Sequence, residues 1–563
     1  MSNVSAHVAA LVSAHVAEVF GVMGNGNAHF LDALARTPTR FTAVRHEAAG
    51  VAAADAYFRA SGRPAAATTT YGPGFSNAIT PLAEAVRARI PLLLITGSAP
   101  STGPRPHDVD QIALAAAVGA RTFPVQDGTV DAVVARAVEH AVGDRAPAVI
   151  AIPYDLATAE AGEAPAPSAI PAPAPVVPTM DDLGRVAGLI DAARRPVLLA
   201  GRGAWLAGAG EPLTRLANLI KAPAATTACA RSLFGPIDDQ LGIAGGFGTA
   251  RCAAAFAEAD LALVFGAGLN QFTTRHGRLF GERTTVVQID PAAPTTDRVE
   301  LAVGGDAALA AAGLSRLVAP RSGPVWTAGH PVVAAATESE PEPTPGGLMP
   351  DGRMDPRQLA RRLDELLPAD RTVVTDGGHF IEWGPRYWRV GGPDRLIMVG
   401  TAYQTIGLGL ASAVGAARAR PESTIVLASG DGGALMALAD LESLRRAARR
   451  AVMIVFDDAA YGAEVHQYGS KGLDQKPMWI GGVDFAGLGR AVGATGRVVR
   501  TLDDLDHLAD WLAGAEEGLY VADCRISTAV VAPHLRDARA AERSQPPRPR
   551  RRVAADLTSR RPA

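Results

Sequence analysis

Three things are scarce in this 563-residue chain, and each scarcity excludes something. Cysteine occurs only as Cys229, Cys252 and Cys524, too widely spaced for a thiolate metal site and too few for a disulfide framework, so buried apolar roles are expected of them. Excess charge is absent: 54 basic against 57 acidic residues leave a net charge of −3, with no general pull toward nucleic acid or an anionic membrane. Long apolar runs are absent as well. No stretch approaches the ~20 residues that cross a bilayer. The first helical segment is interrupted by His7 and His15 instead of joining a basic start to a continuous apolar core. Neither a membrane span nor a signal peptide is therefore expected, and the chain reads as cytoplasmic.

What is there is ample core. Hydrophobic residues make up 48% and charged residues 20%, a globular composition, and the length suits three domains or so at ~100–200 residues each. Residues 1–160 alternate strand and helix patterns. Strands are expected at Val19–Met23, Phe41–Arg45, Ala65–Thr70, Ile90–Thr96 and Ala148–Ile152, with a helix over 4–18 and an alanine-rich helix opened by His46-Glu47. A Pro-Ala stretch at 161–179 reads as an extended linker. Residues 180–315 form a second alternating unit, 316–354 a second linker rich in proline and glycine, and 355–533 a third unit. Residues 534–563 read as a basic, disordered tail. The expected fold class is α/β, three αβα domains with parallel sheets.

Chemistry concentrates at 424–464. Thr424–Ala428 is a β-branched, apolar run ending in Ser429-Gly430-Asp431-Gly432-Gly433; leucines and alanines then recur at helical spacing to about Arg449, and Ala451–Phe456 is again strand-like, ending in Asp457-Asp458. Strand, loop, helix, strand makes two neighbouring parallel strands, so Asp431 and Asp458 are expected at one sheet edge. Glycines let a ligand approach the backbone, and a helix N-terminus offers free N–H groups to an anion. Two hard oxygen ligands beside such a helix end describe a site for Mg²⁺ and a diphosphate.

This pattern resembles the thiamine-diphosphate motif, Gly-Asp-Gly followed some two dozen residues later by Asn-Asn. The resemblance covers about residues 1–530 and extends to the order of domains: pyrimidine-binding, central Rossmann-like, diphosphate-binding. It is the order of the family that includes acetolactate synthase, pyruvate decarboxylase and benzoylformate decarboxylase. It implies that Asp431, Asp458 and the carbonyl of Ala460 hold the metal, with Gly430, Gly432, Gly433, Tyr461 and Gly462 around the cofactor. The departure is Asp457-Asp458 in place of Asn-Asn, which adds negative charge beside the diphosphate. Gly378-His379-Phe380, after the strand Thr372–Thr375, resembles a phosphate-contacting loop. Thr405-Ile406-Gly407 resembles the segment that bends the cofactor, which makes Ile406 the apolar wedge and the Gln404 carbonyl an acceptor for the aminopyrimidine. In the first domain Arg45-His46-Glu47 resembles the segment whose Glu bonds the pyrimidine ring, and Gly72-Pro73-Gly74-Phe75-Ser76-Asn77 the loop beside it, so Glu47, Pro73 and Asn77 join the cofactor set.

On the substrate side the resemblance points to Asn25, His107 and Glu464. Asn25 stands where pyruvate decarboxylase has an acid and acetolactate synthase a glycine; His107 falls where acetolactate synthases carry a pocket glutamine; Glu464 matches the pyruvate decarboxylase acid that manages a carbanion proton. The decarboxylase histidines are missing, Thr70 replacing one of them. Leu269-Asn270-Gln271 stands in place of the acetolactate synthase run Phe-Asp-Asp-Arg, so FAD is not expected. The implied activity is that of a carboligase resembling acetolactate synthase, which decarboxylates a 2-oxo acid and transfers the acyl carbanion to a second carbonyl compound. A simple 2-oxo acid decarboxylase is the alternative, and a cofactor-free relative a further one. The expected cofactors are thiamine diphosphate and Mg²⁺. The family's sites lie between subunits, which implies a homodimer or homotetramer.

Overall fold

The structure, a computed structural model, describes residues 3–106, 108–162, 174–338 and 344–544. It contains three six-stranded sheets in which every ladder is parallel. Strands β1–β6 are Glu18–Gly21, Arg40–Ala43, Ala65–Thr69, Leu92–Ser98, Arg121–Pro124 and Ala148–Pro153. Strands β7–β12 are Pro196–Ala200, Ala224–Thr226, Gln240–Ile243, Leu261–Phe265, Thr285–Ile289 and Leu301–Val303. Strands β13–β18 are Arg371–Thr375, Leu396–Ile397, Thr424–Gly430, Arg450–Asp457, Thr495–Val499 and Gly518–Arg525. The first sheet runs β2-β1-β3-β4-β6-β5 and the third β14-β13-β15-β16-β18-β17, the same order; the middle sheet runs β12-β11-β10-β7-β8-β9. Central strands such as β3 and β15 are buried along their whole length, because helices cover both faces of a parallel sheet.

The outer domains share one core. Its centre is the helix Glu47–Ser61, buried at every position from Ala49 to Ala60. Alanines dominate this stretch and let the helix pack closely between the first sheet on one side and the helix Gly409–Ala419 on the other. At the crossing a side chain on Gly415 would meet the backbone carbonyl of Ala53. The His46 side chain caps the first turn by accepting from Ala48 N at 3.2 Å, and Gly62 ends the helix with φ 71°. A buried ion cluster fixes the joint. Arg59 donates to Asp55 at 2.5 Å, to Glu84 at 3.0 Å and to the Met398 carbonyl of the third domain at 2.8 Å, while Glu84 also accepts from Tyr403 N at 2.6 Å. Removing one partner of such a cluster costs about 3–5 kcal/mol, since a buried charge is left behind.

Several sequence expectations are corrected. The helix expected from about Ala434 to Arg449 starts at Asp431 and is broken into Asp431–Met436, a 3-10 turn at Leu438–Asp440, and Leu441–Ala447. Asp440 accounts for the break, because its carboxylate accepts from Arg45 N and the Ser443 hydroxyl, both at 2.8 Å. Residues 534–544 are not a loose tail: Pro533–Ser544 is a helix held by Asp537 against Arg275 and by Glu542 against Lys471. Within 316–354, Pro331–Glu338 is helical and Val333 enters the middle core. Cys252 and Cys524 are buried, but Cys229 is half-buried. His107, most of the 161–179 stretch and the end of the basic tail lie outside the described residues. Among the described residues no helix is long and apolar enough to cross a membrane.

Candidate active site

In the third sheet the chain steps from β13 out to β14, then returns to β15 on the other side of β13. Ligands of open α/β sheets bind where the strand order reverses in this way, at the carboxyl ends of the strands. Three loops meet there: Asp376-Gly377-Gly378-His379 after β13, Asp431-Gly432-Gly433 after β15, and Asp458 after β16. They wall a cavity of about 1470 Å³. Every third-domain residue singled out in the sequence lines it: residues 378–380, Gln404, Ile406, residues 430–433, Asp458, residues 460–462 and Glu464.

Two groups in this wall lack partners. Asp431 is 3% exposed and its Oδ2 accepts no hydrogen bond. Burial, then the charges of Asp458 and Asp457, push its carboxyl up to about 8. His379 accepts from Ala532 N on Nε2 at 3.0 Å, so a neutral ring carries its proton on Nδ1, which is buried and unpartnered 3.8 Å from Asp458 Oδ2. A buried acceptor needing positive charge and a buried donor needing an acceptor suit a hard cation together with an anion. A side chain on Gly462 would collide with Asp458 and come within 3.0 Å of His379 Nδ1, so only glycine leaves that space open. Among the described residues no three His, Cys, Asp or Glu side chains are grouped to hold a metal, so two carboxylates would need oxygens from a bound anion to complete a shell.

The Asp457-Asp458 departure divides in two. Asp457 forms an ion pair with Arg525 at 2.7 Å and accepts from Ala459 N at 2.9 Å, so its added charge is met within the protein. Only Asp458 turns its charge to the cavity. Sequence reading also passed over Asp376. It is buried, pushed up to about 6 by that burial, and accepts from Gly377 N at 2.7 Å and Gly407 N at 3.0 Å. These bonds tie the end of β13 to the Gln404–Ile406 segment. Gln404 holds a left-handed φ of 60°, a conformation costing about 1–3 kcal/mol in a residue with a side chain. The adjacent Ile406 is 36% exposed beside the cavity. His466, also passed over, lies 4.5 Å from His379 with the two rings tilted by 58°, and is pushed down to about 4, chiefly by burial and next by His379.

The first-domain residues singled out in the sequence, Glu47, Asn25, Pro73 and Asn77, form a separate cluster at the matching edge of their own sheet and do not line this cavity. Glu47 Oε2 accepts from Asn77 Nδ2 at 3.0 Å, and Pro73 opens the short helix that carries Asn77. Asn25 donates to the Tyr71 hydroxyl at 3.2 Å. Arg105 lies over the rings of Tyr71 and Tyr154 at 4.7 and 5.1 Å and donates to Asp108. In the middle domain the Gly201-Arg202-Gly203 turn packs on Gly266, with Gly203 N donating to the Gly266 carbonyl at 2.9 Å, and the large cavity continues over it.

Three family models match the chain in order. They are described as thiamine pyrophosphate enzyme N-terminal TPP binding domain over residues 1–115, central domain over 183–314, and C-terminal TPP binding domain over 376–524. The chain is 29% identical over 532 residues to the acetolactate synthase large subunit of Parasynechococcus marenigrum, covering 88% of this chain and 83% of that one. It is 28% identical over 555 residues to a sulfoacetaldehyde acetyltransferase of Rhodobacter capsulatus, covering 91% and 93%. It is likewise 28% identical over 529 residues to the acetolactate synthase isozyme 2 large subunit of Escherichia coli, covering 90% and 93%.

Proposed function

The chain belongs to the thiamine pyrophosphate enzyme family, and from that premise we propose that it is a carboligase, joining the acyl group of a decarboxylated 2-oxo acid to a second carbonyl compound. The observation that carries this reading is the pair of unpartnered groups in one cavity wall, Asp431 Oδ2 and His379 Nδ1. Asp431, Asp458 and the Ala460 carbonyl would hold Mg²⁺, and the His379 Nδ1–H would donate to a diphosphate oxygen. Bound there, the thiazolium cofactor supplies an electron sink for the carbanion left when CO₂ departs.

The chain's own groups divide the remaining work. Ile406 offers an exposed apolar surface on which two rings can be bent together, and the left-handed Gln404 fixes the direction of its carbonyl. Glu47 is the carboxyl that would share a proton with a ring nitrogen, steadied by the amide of Asn77. Glu47, Pro73 and Asn77 do not line the cavity of their own chain, which supports a homo-oligomer where the first domain of one copy completes the third-domain site of another. Asn25 and His107 would then reach the substrate from that first domain.

Relatives named acetolactate synthase and sulfoacetaldehyde acetyltransferase support acyl transfer and suggest two substrate classes to examine, 2-oxo acids and a sulfonated aldehyde. Glu464 supports the alternative, simple decarboxylation, because it is exposed on the cavity-lining helix Gly462–Tyr468. The test is CO₂ release from a panel of 2-oxo acids with thiamine diphosphate and Mg²⁺, followed by product analysis with a second 2-oxo acid or an aldehyde as acceptor. Hydroxyketone or acyl-transfer product supports the carboligase. Aldehyde alone, abolished by Glu464→Gln, establishes the decarboxylase. Absence of bound cofactor even with added Mg²⁺ leaves a non-catalytic relative.

A further inference from the structure

We propose that His534, on the helix that follows the three matched family domains, gives a proton to the acceptor's carbonyl oxygen as the new C–C bond forms at its carbon; this rests on the carboligase reading above. The helix Pro533–Ser544 reaches the cavity through His534, Leu535, Ala538 and Glu542. Its start is tied to the cofactor wall, since Ala532 N donates to the same His379 that stands 3.8 Å from Asp458. Two residues on, the His534 backbone N and its ring Nδ1 meet one oxygen of Glu382, at 3.0 and 2.9 Å. Glu382 is fully buried, and its other oxygen accepts from Arg386 at 3.0 Å. A carboxylate oxygen only accepts, so Nδ1 carries a proton and Nε2 is the nitrogen that gains or loses one. Among the described residues Nε2 has no hydrogen-bond partner. The ring stands edge-on to Phe247, 5.7 Å away, and beside Phe272, 6.3 Å away.

A buried carboxylate that fixes the tautomer of an imidazole at the wall of a reaction cavity is the arrangement of a proton-transfer residue, with Glu382 as its positioning residue. The alternative is that His534 merely pins the helix. That task is already met elsewhere: Asp537 accepts from both Arg275 Nε and Nη2 at 2.8 Å, and Lys471 pairs with Glu542 at 2.8 Å. The reaction needs a proton carrier. A 2-oxo acid anion and an aldehyde or ketone give a hydroxyketone and CO₂ only if one proton enters. As the C–C bond forms, the carbonyl π pair moves onto oxygen, oxygen takes the proton from Nε2–H, and the neutral ring regains one from water in the cavity. The titratable and charged groups packed around the ring and its helix include Glu382, Arg386, His379, His466, Arg275, Arg278 and Lys471 from other elements, and Arg536, Asp537, Arg539 and Glu542 on the helix itself.

The experiment compares the wild-type holoenzyme with H534N and H534Q. Asparagine places its amide near Nδ1, keeping the bond to Glu382 while removing Nε2; glutamine places its amide nearer Nε2. Product formation, thiamine diphosphate and Mg²⁺ affinity, Tm and the pH profile of kcat are measured. The expected result is ligation slowed by about 10²-fold in H534N, with cofactor affinity and Tm at wild-type values and the alkaline fall of the ligation profile abolished. Ligation within about threefold of wild type in both variants, or a loss matched by equal loss of cofactor affinity and Tm in both, overturns the assignment. A wild-type enzyme that ligates no donor–acceptor pair shows instead, before any variant is made, that the carboligase reading fails and this role with it.

Discussion

The first and third domains have the same strand order and present the same kind of loop cluster at the same sheet edge, yet the polar groups at the two edges stand in opposite states. At the third-domain edge, buried groups lack what they need: Asp431 an opposing charge, His379 an acceptor. At the first-domain edge, groups are met by neighbours and reach outward: Glu47 by Asn77, Asn25 by Tyr71. A repeated topology supplies a place for a ligand, and the loops alone decide whether that place binds or reacts. On the proposed function, the third-domain edge would hold the cofactor and the first-domain edge would supply Glu47 to its ring.

The largest expected effect tests the holding side. Asp431→Asn should abolish cofactor retention and lower activity by more than about 10³-fold, as measured by thiamine released on denaturation and by turnover. In the cation-free protein the sign reverses. The folded carboxyl lies near 8 against 3.8 for an ordinary one, so the folded state binds the extra proton and wild-type stability falls as pH rises from about 4 toward 8. D431N, scanned by Tm against pH without Mg²⁺, should lose that decline. On the acting side, Glu47→Gln should lower kcat by about 10²-fold while cofactor affinity stays near wild type. Equal loss of binding in both variants would break the contrast between the two edges.

Smaller effects sharpen it. Gly415→Ala inserts a methyl against the Ala53 backbone carbonyl, which cannot swing aside, and should destabilise the protein by about 1–3 kcal/mol despite alanine's better helix propensity. Denaturant unfolding that moves both outer domains together would show that they stand or fall as one unit. Asp458→Asn removes one of the charges that raise Asp431. The midpoint for Mg²⁺ binding against pH should therefore move down, by about one unit; an unmoved midpoint would mean that Asp458 does not face the cation.

Much of the holding edge was legible in the sequence. Two short apolar runs separated by Gly-Asp-Gly and a helix can only be parallel neighbours, and Asp431 and Asp458 follow from their ends. What stayed hidden depends on distant partners. Nothing near Asp457 announces Arg525, and nothing near Ala437 announces that Asp440 will leave the helix to bind Arg45 N. His534 sat in a stretch read as a tail because proline and arginine dominate its later part, while the ion pairs that order its first turns come from Arg275 and Lys471. Asp376 did leave a signal, an acid before two glycines at a strand end, the same arrangement as at Asp431.

The common core of the outer domains has a consequence for how the chain comes into being. The helix Glu47–Ser61 is completed by Gly409–Ala419, more than three hundred residues later. At ribosomal rates of about 5–20 residues per second, the first helix waits roughly 20–70 s for its lid. During that interval one of its faces is open to solvent or to a chaperone. The helix is rich in alanine, with Tyr57 and Phe58 its only large apolar side chains, and so offers less adhesive surface than a leucine-rich helix would. The small residues that permit the tight crossing in the finished protein also let the unfinished one wait without sticking.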